Sequence, residues 1–292
     1  MLPNWYNEYK ILIEESINSY LEEYFDTEKN KGLDIIKEAT LYSVQWWKRI
    51  RSILALEFYQ IFSWVEFKDI KENDNIIKFC IALELLHAYS LIHDDLPSID
   101  NDEYRRWNLT TWKKYWETNA ILVWDLLNSL SFEILSEIWE LNLIKFFWEA
   151  VWLKWMLWWQ VLDIYYEKNN NKLDLDKLIE VHNKKTWKLI KVSILWWILL
   201  WNLNKENNSN KKEIEKYLEF WEKIWLAFQI KDDLLDVEWT LEETGKSVWW
   251  ENKWFVYFIW EEKTRKYLND LVNECLDIIK NLNSNKLEFI IK

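Results

Sequence analysis

An all-α bundle of long helices is the fold class this sequence predicts, and three observations predict it. Apolar residues recur at helical spacing in one segment after another, most clearly from Ile81 to Ile92. No segment alternates apolar and polar residues over the length of a strand, and there is no GxGxxG, P-loop or internal repeat. The chain of 292 residues also has no linker that forces a split, so residues 1–292 are expected to form one domain with its ligand site between facing helices.

The elements follow in order. Trp5 to Phe25 reads as an amphipathic helix with Ile11, Leu12, Ile17 and Leu21 inward, ended by the polar turn Thr27 to Gly32. A helix from about Leu33 runs on into YSVQWWKRIRS, where Lys48 and Arg51, spaced i, i+3, can point two charges at one anion or form a solvated basic face. After a polar break at Lys71 to Asp74 comes the central helix, which runs into Asp94 and Asp95 and is stopped by Pro97. His87, seven residues before Asp94, lies on roughly the same face, although a single helix histidine is usually a packed residue. Thr118 to about Asn142 and Ile144 to Tyr166 read as two further apolar helices. Gln160 and Asp163, on the second, are cavity-wall or capping residues. Asparagine-rich turns at Asn169 to Asn171 and Asn202 to Asn210 delimit a helix carrying His182, Lys185 and Thr186. A charged helix and a short tail follow Trp260.

Two acidic clusters carry the chemistry. Asp94, Asp95, Asp100, Asn101, Asp102 and Glu103 crowd the C-terminal end of the central helix, where the macrodipole disfavours negative charge unless a cation is bound. Hard oxygen ligands suit Mg²⁺ rather than zinc. Taken alone, such a run is as well explained as a solvated loop. The second cluster, in WEKIWLAFQIKDDLLDVEW, sets Asp232, Asp233 and Asp236 in an apolar helical context, with Asp232 and Asp236 at i, i+4 on one face. Two such clusters are what a helical bundle needs to hold a metal–diphosphate group.

Composition narrows the partners. A formal charge of −12 argues against nucleic acid, which requires clustered Lys and Arg. Cys80 and Cys275 are the only cysteines, so a reducing compartment without disulfides is expected. MLPNWYNEYK has no signal-peptide pattern, and the longest apolar run, Ile194 to Trp201, is too short to span a bilayer. The expectation is a cytoplasmic protein with no membrane or nucleic-acid partner.

From about Tyr42 to Trp260, five separated motifs resemble those of the trans-prenyltransferases, the short-chain isoprenyl diphosphate synthases that include farnesyl and geranylgeranyl diphosphate synthases. The resemblance implies an isoprenoid synthase fold and a homodimer, with two aspartate motifs facing each other across a cavity and binding three Mg²⁺ and an allylic diphosphate. Asp94, Asp95, Asp100, Asp232, Asp233 and Asp236 match those motifs as metal ligands. Lys48, Arg51, His87 and Arg106 match the residues that hold isopentenyl diphosphate, although Trp46, Trp47 and Ser52 replace the family's two glycines and proline around the basic pair. Arg105, Lys185 and Lys246 match the cations on the allylic diphosphate, dimethylallyl or geranyl, and Thr186 and Gln229 match the dipoles that stabilise the allylic cation. Tyr89 and Ser90 match the floor that limits product length. An aromatic there, together with the lengthened motif DDLPSID, points to a C15 product over C20. A terpene cyclase lacks the isopentenyl diphosphate site that Lys48, Arg51 and His87 supply, and a non-catalytic partner subunit loses aspartates or basic ligands that this chain keeps.

One compositional feature stands apart: 25 Trp against 2 Gly, where glycine is ordinarily about 7% of residues. Trp46-Trp47, Trp107, Trp116, Trp124 and Trp158-Trp159 stand where the resemblance places glycine, whereas Trp5 and Trp112 do not. The expectation is that most of these tryptophans are glycine in the cell, translated with the wrong meaning of UGA. As written, they should leave indoles crowding the diphosphate region or exposed without cover.

Overall fold

The computed structural model describes residues 2–27, 31–45, 48–105, 107–138, 140–151, 161, 210–238, 255–282 and 284–291. They fall into two compact units, Met1–Ile144 and Lys145–Lys292.

The first unit is assembled around one helix. α1 (Asn4–Asp26), a 3₁₀ turn (Lys31–Leu33), α2 (Asp34–Ser43), α3 (Ile50–Ser63) and α4 (Phe67–Lys71) precede α5 (Asp74–Asp95). A two-stranded hairpin follows, β1 (Tyr104–Arg105) and β2 (Asn108–Leu109), then α6 (Thr111–Tyr115) and α7 (Glu117–Glu137); α8 (Leu141–Val151) runs past Ile144, where this unit ends. α5 begins where the Asn73 side chain accepts the Ile76 N–H at 3.4 Å. It is apolar nearly all round, and Phe79, Ile81, Leu83, Leu85 and Leu86 are all buried. Each such side chain contributes roughly 1.5–3 kcal/mol on leaving water, so α5 dominates the core of its unit. α7 is its most extensive neighbour, and α1, α3, α4 and α6 pack on it too. By length and composition alone α5 is apolar enough to cross a membrane, but most of it is buried inside the protein.

The structure departs from the sequence expectations at four places. On α1 the inward stripe is Tyr6, Tyr9, Ile13, Ile17, Leu21 and Phe25; Leu12 is only half-buried and Ile11 is exposed, because a stripe at i, i+4 from Tyr9 leaves Ile11 on the opposite face. The helix from Leu33 does not run through the basic segment: α2 stops at Ser43, and α3 starts only after Arg49, which adopts a left-handed conformation at φ 57°. Lys48 therefore precedes α3 and does not share a helix face with Arg51. α7 stops at Glu137 instead of continuing to Asn142. The hairpin is too short for alternation to reveal it, and its register pairs Arg105 with Asn108 across a two-residue connection.

In the second unit, α9 (Asn210–Glu238) packs against α11 (Glu261–Ile279) and α10 (Phe255–Ile259), with α12 (Asn285–Ile291) against α11. Leu226, Ala227, Ile230 and Leu234 of α9 make a core with Phe255, Val256 and Leu271. Their i, i+4 recurrence along α9 is the apolar stripe that the sequence shows.

Candidate active site

α5 delivers its polar residues in two groups a little under two turns apart. At its end, Asp94 is partly exposed, while Asp95 is buried. The chain then doubles back. The amides of Ile99 and Asn101 both donate to the Leu96 carbonyl (2.9 and 3.0 Å), and the Asp100 N–H donates to the Asp94 carbonyl at 3.0 Å. Pro97, which cannot continue a helix, permits this turn. Asp100 is thereby returned to Asp94.

Asp95 faces elsewhere. Its carboxylate accepts three hydrogen bonds from Arg105, two of them from Nε at 2.8 and 3.0 Å and the third from Nη2. Burial pushes the Asp95 carboxyl up to about 6, against the pull of the Arg105 guanidinium. The hairpin that presents Arg105 is fastened to the acidic loop. Thr110 Oγ1 and Trp112 Nε1 both donate to the Asp102 carbonyl, at 2.7 and 2.8 Å. Asp95 and Arg105 border a small open cleft between α5, the hairpin and the end of α2, lined also by Tyr42, Ala88 and Leu91. Neither Asp94 nor His87 lines it.

Seven residues back from Asp94, His87 Nε2 lies 3.0 Å from Arg51 Nη1, so the two residues expected to hold one anion do meet. Lys48 is exposed, and its carbonyl accepts the Tyr6 hydroxyl. Between Lys48 and Arg51, the sequence reading passed over Arg49. It is buried and donates from Nη1 to Glu84 Oε2 at 3.1 Å and from Nη2 to the Val44 carbonyl. Ser52, which stands where the family has proline, donates to Glu84 Oε1 at 2.7 Å. Glu84 and His87 are spaced i, i+3 on α5, so this buried ion pair fixes the basic segment against the same stretch of helix that carries His87. The available signal was Glu84 itself, a carboxylate in the most apolar run of the chain.

Tyr89 is buried on another face of α5, stacked on Trp124 of α7 with ring centroids 5.7 Å apart and planes at 13°. The Ser90 hydroxyl donates to the His87 carbonyl within the helix at 2.8 Å.

In the second unit Gln229 is half-buried on α9, and Asp233 is buried with Oδ2 accepting the Phe255 N–H at 2.9 Å, at the start of α10. Asp232 and Asp236 lie on α9, but their side chains fall outside the described residues, as do Trp46, Trp47, Arg106, Trp158, Trp159, Gln160, Asp163, His182, Lys185, Thr186 and Lys246. Among the described residues no three acidic, imidazole or thiol groups converge closely enough to hold a metal alone. The donor set that Asp94 and Asp100 begin is all carboxylate oxygen at a helix C-terminus, which fits Mg²⁺ and not a metal that prefers nitrogen or sulfur.

The first unit thus joins an acidic helix end, a returning aspartate loop and, about two turns back, the Arg51–His87 pair. The polyprenyl synthetase family model matches residues 33–272, and the chain belongs to that family: it is a prenyltransferase. A farnesyl diphosphate synthase of Micrococcus luteus is 34% identical over 216 residues, 70% of this chain and 71% of that protein. A crystal structure of an FPP/GFPP synthase from Zymomonas mobilis superposes with a TM-score of 0.80 at 26% identity, over 97% of this chain and 98% of that one. A geranyltransferase of Helicobacter pylori, complexed with magnesium and isoprenyl diphosphate, gives a TM-score of 0.74 at 28% identity, over 100% of this chain and 95% of that one. The expected all-α isoprenoid synthase fold is thus established.

Proposed function

We propose that this chain condenses isopentenyl diphosphate with dimethylallyl or geranyl diphosphate and releases farnesyl diphosphate, the C15 product. The observation that carries this reading is the layout of α5. An anion-binding pair, Arg51 and His87, sits seven residues before the carboxylates Asp94 and Asp100, about 10 Å along a helix. That spacing suits two diphosphates bound one behind the other, and a terpene cyclase has no use for the basic pair.

Asp94, Asp95 and Asp100, with Asp232, Asp233 and Asp236, would hold Mg²⁺, three ions per site, and both aspartate sets serve the same turnover. Bound Mg²⁺ supplies charge neutralisation to the departing allylic diphosphate. The chain's own residues do the rest. Arg105, Lys185 and Lys246 place fixed positive charge on that leaving group, where negative charge develops. Lys48, Arg51, His87 and Arg106 orient isopentenyl diphosphate so that its double bond attacks the allylic cation. Thr186 and Gln229 present oxygen dipoles to the cation in a dry apolar surround, and loss of a proton leaves the chain one isoprene unit longer. No protein nucleophile takes part. Tyr89 and Ser90, one turn before Asp94, limit how far the product tail extends. Residues 1–292 act as one catalytic domain, in a cytoplasmic homodimer.

The test is to incubate the protein with Mg²⁺, dimethylallyl diphosphate and labelled isopentenyl diphosphate and to identify products by mass. Farnesyl diphosphate is expected. A C20 diphosphate would move the floor away from Tyr89, a cyclised hydrocarbon would make the chain a cyclase, and no product would make it a partner subunit.

A further inference from the structure

Six residues other than glycine have positive φ among those described: Arg49, Trp64, Asn101, Trp107, Trp116 and Trp260. Two have a reason to be there. Asparagine tolerates the left-handed region, and Arg49 is held in it by its buried pairing with Glu84. The other four are tryptophans, although tryptophan is only 25 of 292 residues.

The four backbones do what glycine does in helical proteins. Trp64 (φ 56°, ψ 36°) ends α3 with its N–H on the Gln60 carbonyl at 3.0 Å, the left-handed stop that glycine usually provides. Trp107 (φ 68°) is the second residue of the two-residue connection between Arg105 and Asn108, a turn position where positive φ selects glycine. Trp116 (φ 73°, ψ 149°) and Trp260 (φ 64°, ψ 152°) repeat one device. Each joins a five-residue helix to a long one and accepts the first bond of the next helix, Ala120 N–H at 3.0 Å and Thr264 N–H at 2.9 Å. That combination of φ and ψ is open essentially to glycine alone, because any Cβ collides with the neighbouring carbonyls.

The side chains agree. Trp64, Trp107, Trp116 and Trp260 are 90, 66, 77 and 77% exposed, where an indole is ordinarily well covered. Trp112 and Trp5 contrast with them. The Trp112 indole N–H bonds the Asp102 carbonyl at 2.8 Å, and the Trp5 ring packs edge-on against Tyr6 and Tyr9.

We propose that positions 64, 107, 116 and 260 are glycine in the protein its own cells make, encoded by UGA read there as glycine, whereas Trp112 is a true tryptophan. This extends the compositional expectation to Trp64 and Trp260, and it does not depend on the reaction the protein catalyses. Peptide mass spectrometry of the protein isolated from its own cells tests it directly. Glycine masses at 64, 107, 116 and 260, with a tryptophan mass at 112, are expected; tryptophan at any of the four overturns it, and so does UGG at any of the four codons. A folding measurement is independent of translation. One chain carries Trp64→Gly, Trp107→Gly, Trp116→Gly and Trp260→Gly, and a second carries alanine at the same positions. The glycine chain should melt about 10 °C higher, since alanine keeps the offending Cβ. Equal melting would show that these backbones do not need glycine.

Discussion

The two Asp-Asp pairs, Asp94-Asp95 on α5 and Asp232-Asp233 on α9, are the same dipeptide at corresponding places in two acidic clusters, and in each the second aspartate is turned into the protein. What it meets there differs. Asp95 receives a guanidinium presented by the hairpin, whereas Asp233 receives a backbone N–H at the start of α10. The inner carboxylate of each pair is an anchor. One anchor needs charge and two oxygens in a plane, and the other needs only an oxygen. The basic segment is divided in the same way, with Arg49 inward on Glu84 and Arg51 outward beside His87.

The strongest attack on this division is to remove an outer carboxylate. Asp94→Ala, and likewise Asp232→Ala, should lower turnover by about 100-fold or more, since charge stabilisation of the leaving group is lost. Melting temperature should change little, because removing one carboxylate from a cluster of like charges relieves repulsion. Ordinary activity at limiting Mg²⁺ would take that aspartate out of the metal site.

The buried pair comes next. Glu84→Ala strands the Arg49 charge inside the first unit, at roughly 3–5 kcal/mol, or on the order of 10 °C in melting temperature. Combining Glu84→Leu with Arg49→Leu should recover most of that loss. If thermal denaturation shows no recovery, Glu84 acts through Ser52 rather than through Arg49.

Asparagine distinguishes the two anchors. Asp233→Asn keeps an acceptor for Phe255 and should leave melting unchanged, while the lost carboxylate charge weakens Mg²⁺ binding and lowers turnover. Asp95→Asn sets an amide N–H against a guanidinium N–H, loses charge-assisted bonds of roughly 1.5–3 kcal/mol and should cut turnover at least about tenfold by releasing Arg105. Equal melting temperatures for the two variants would erase the contrast between guanidinium and backbone anchoring.

A smaller change is expected on the face of α5 that bears no charge. Tyr89→Ser removes the ring stacked on Trp124 and should shift the products toward longer chains at similar total turnover, read by chromatography of the diphosphates. An unchanged distribution would put the floor elsewhere.

The mildest probe compares the stability of the two units. Cys80, on α5, and Cys275, on α11, are both buried, and burial pushes the Cys275 thiol up to about 12. At pH 8 the thiolate is scarce, so labelling of either residue should be slow and limited by opening of its own unit. Site-resolved alkylation then reports which unit opens first, and fast labelling of a folded chain would contradict the burial.

The sequence by itself determined the helical class, the central position of α5 and the identity of the acidic and basic clusters. These depend on local periodicity and on residue types whose chemistry does not change with context. It also exposed the excess of tryptophan over glycine, because composition needs no coordinates. Only the tertiary structure decided which aspartate of each pair turns inward, that Arg49 and not Lys48 or Arg51 is buried, and that Trp64, Trp116 and Trp260 stand at joints between helices. Each of those depends on a partner or a backbone angle. Arg49 finds Glu84 35 residues away, Asp233 finds Phe255 22 residues away, and the helix joints are set by where one packed helix must stop for the next to begin. The spacing of residues along one segment carries no record of what another segment brings to it.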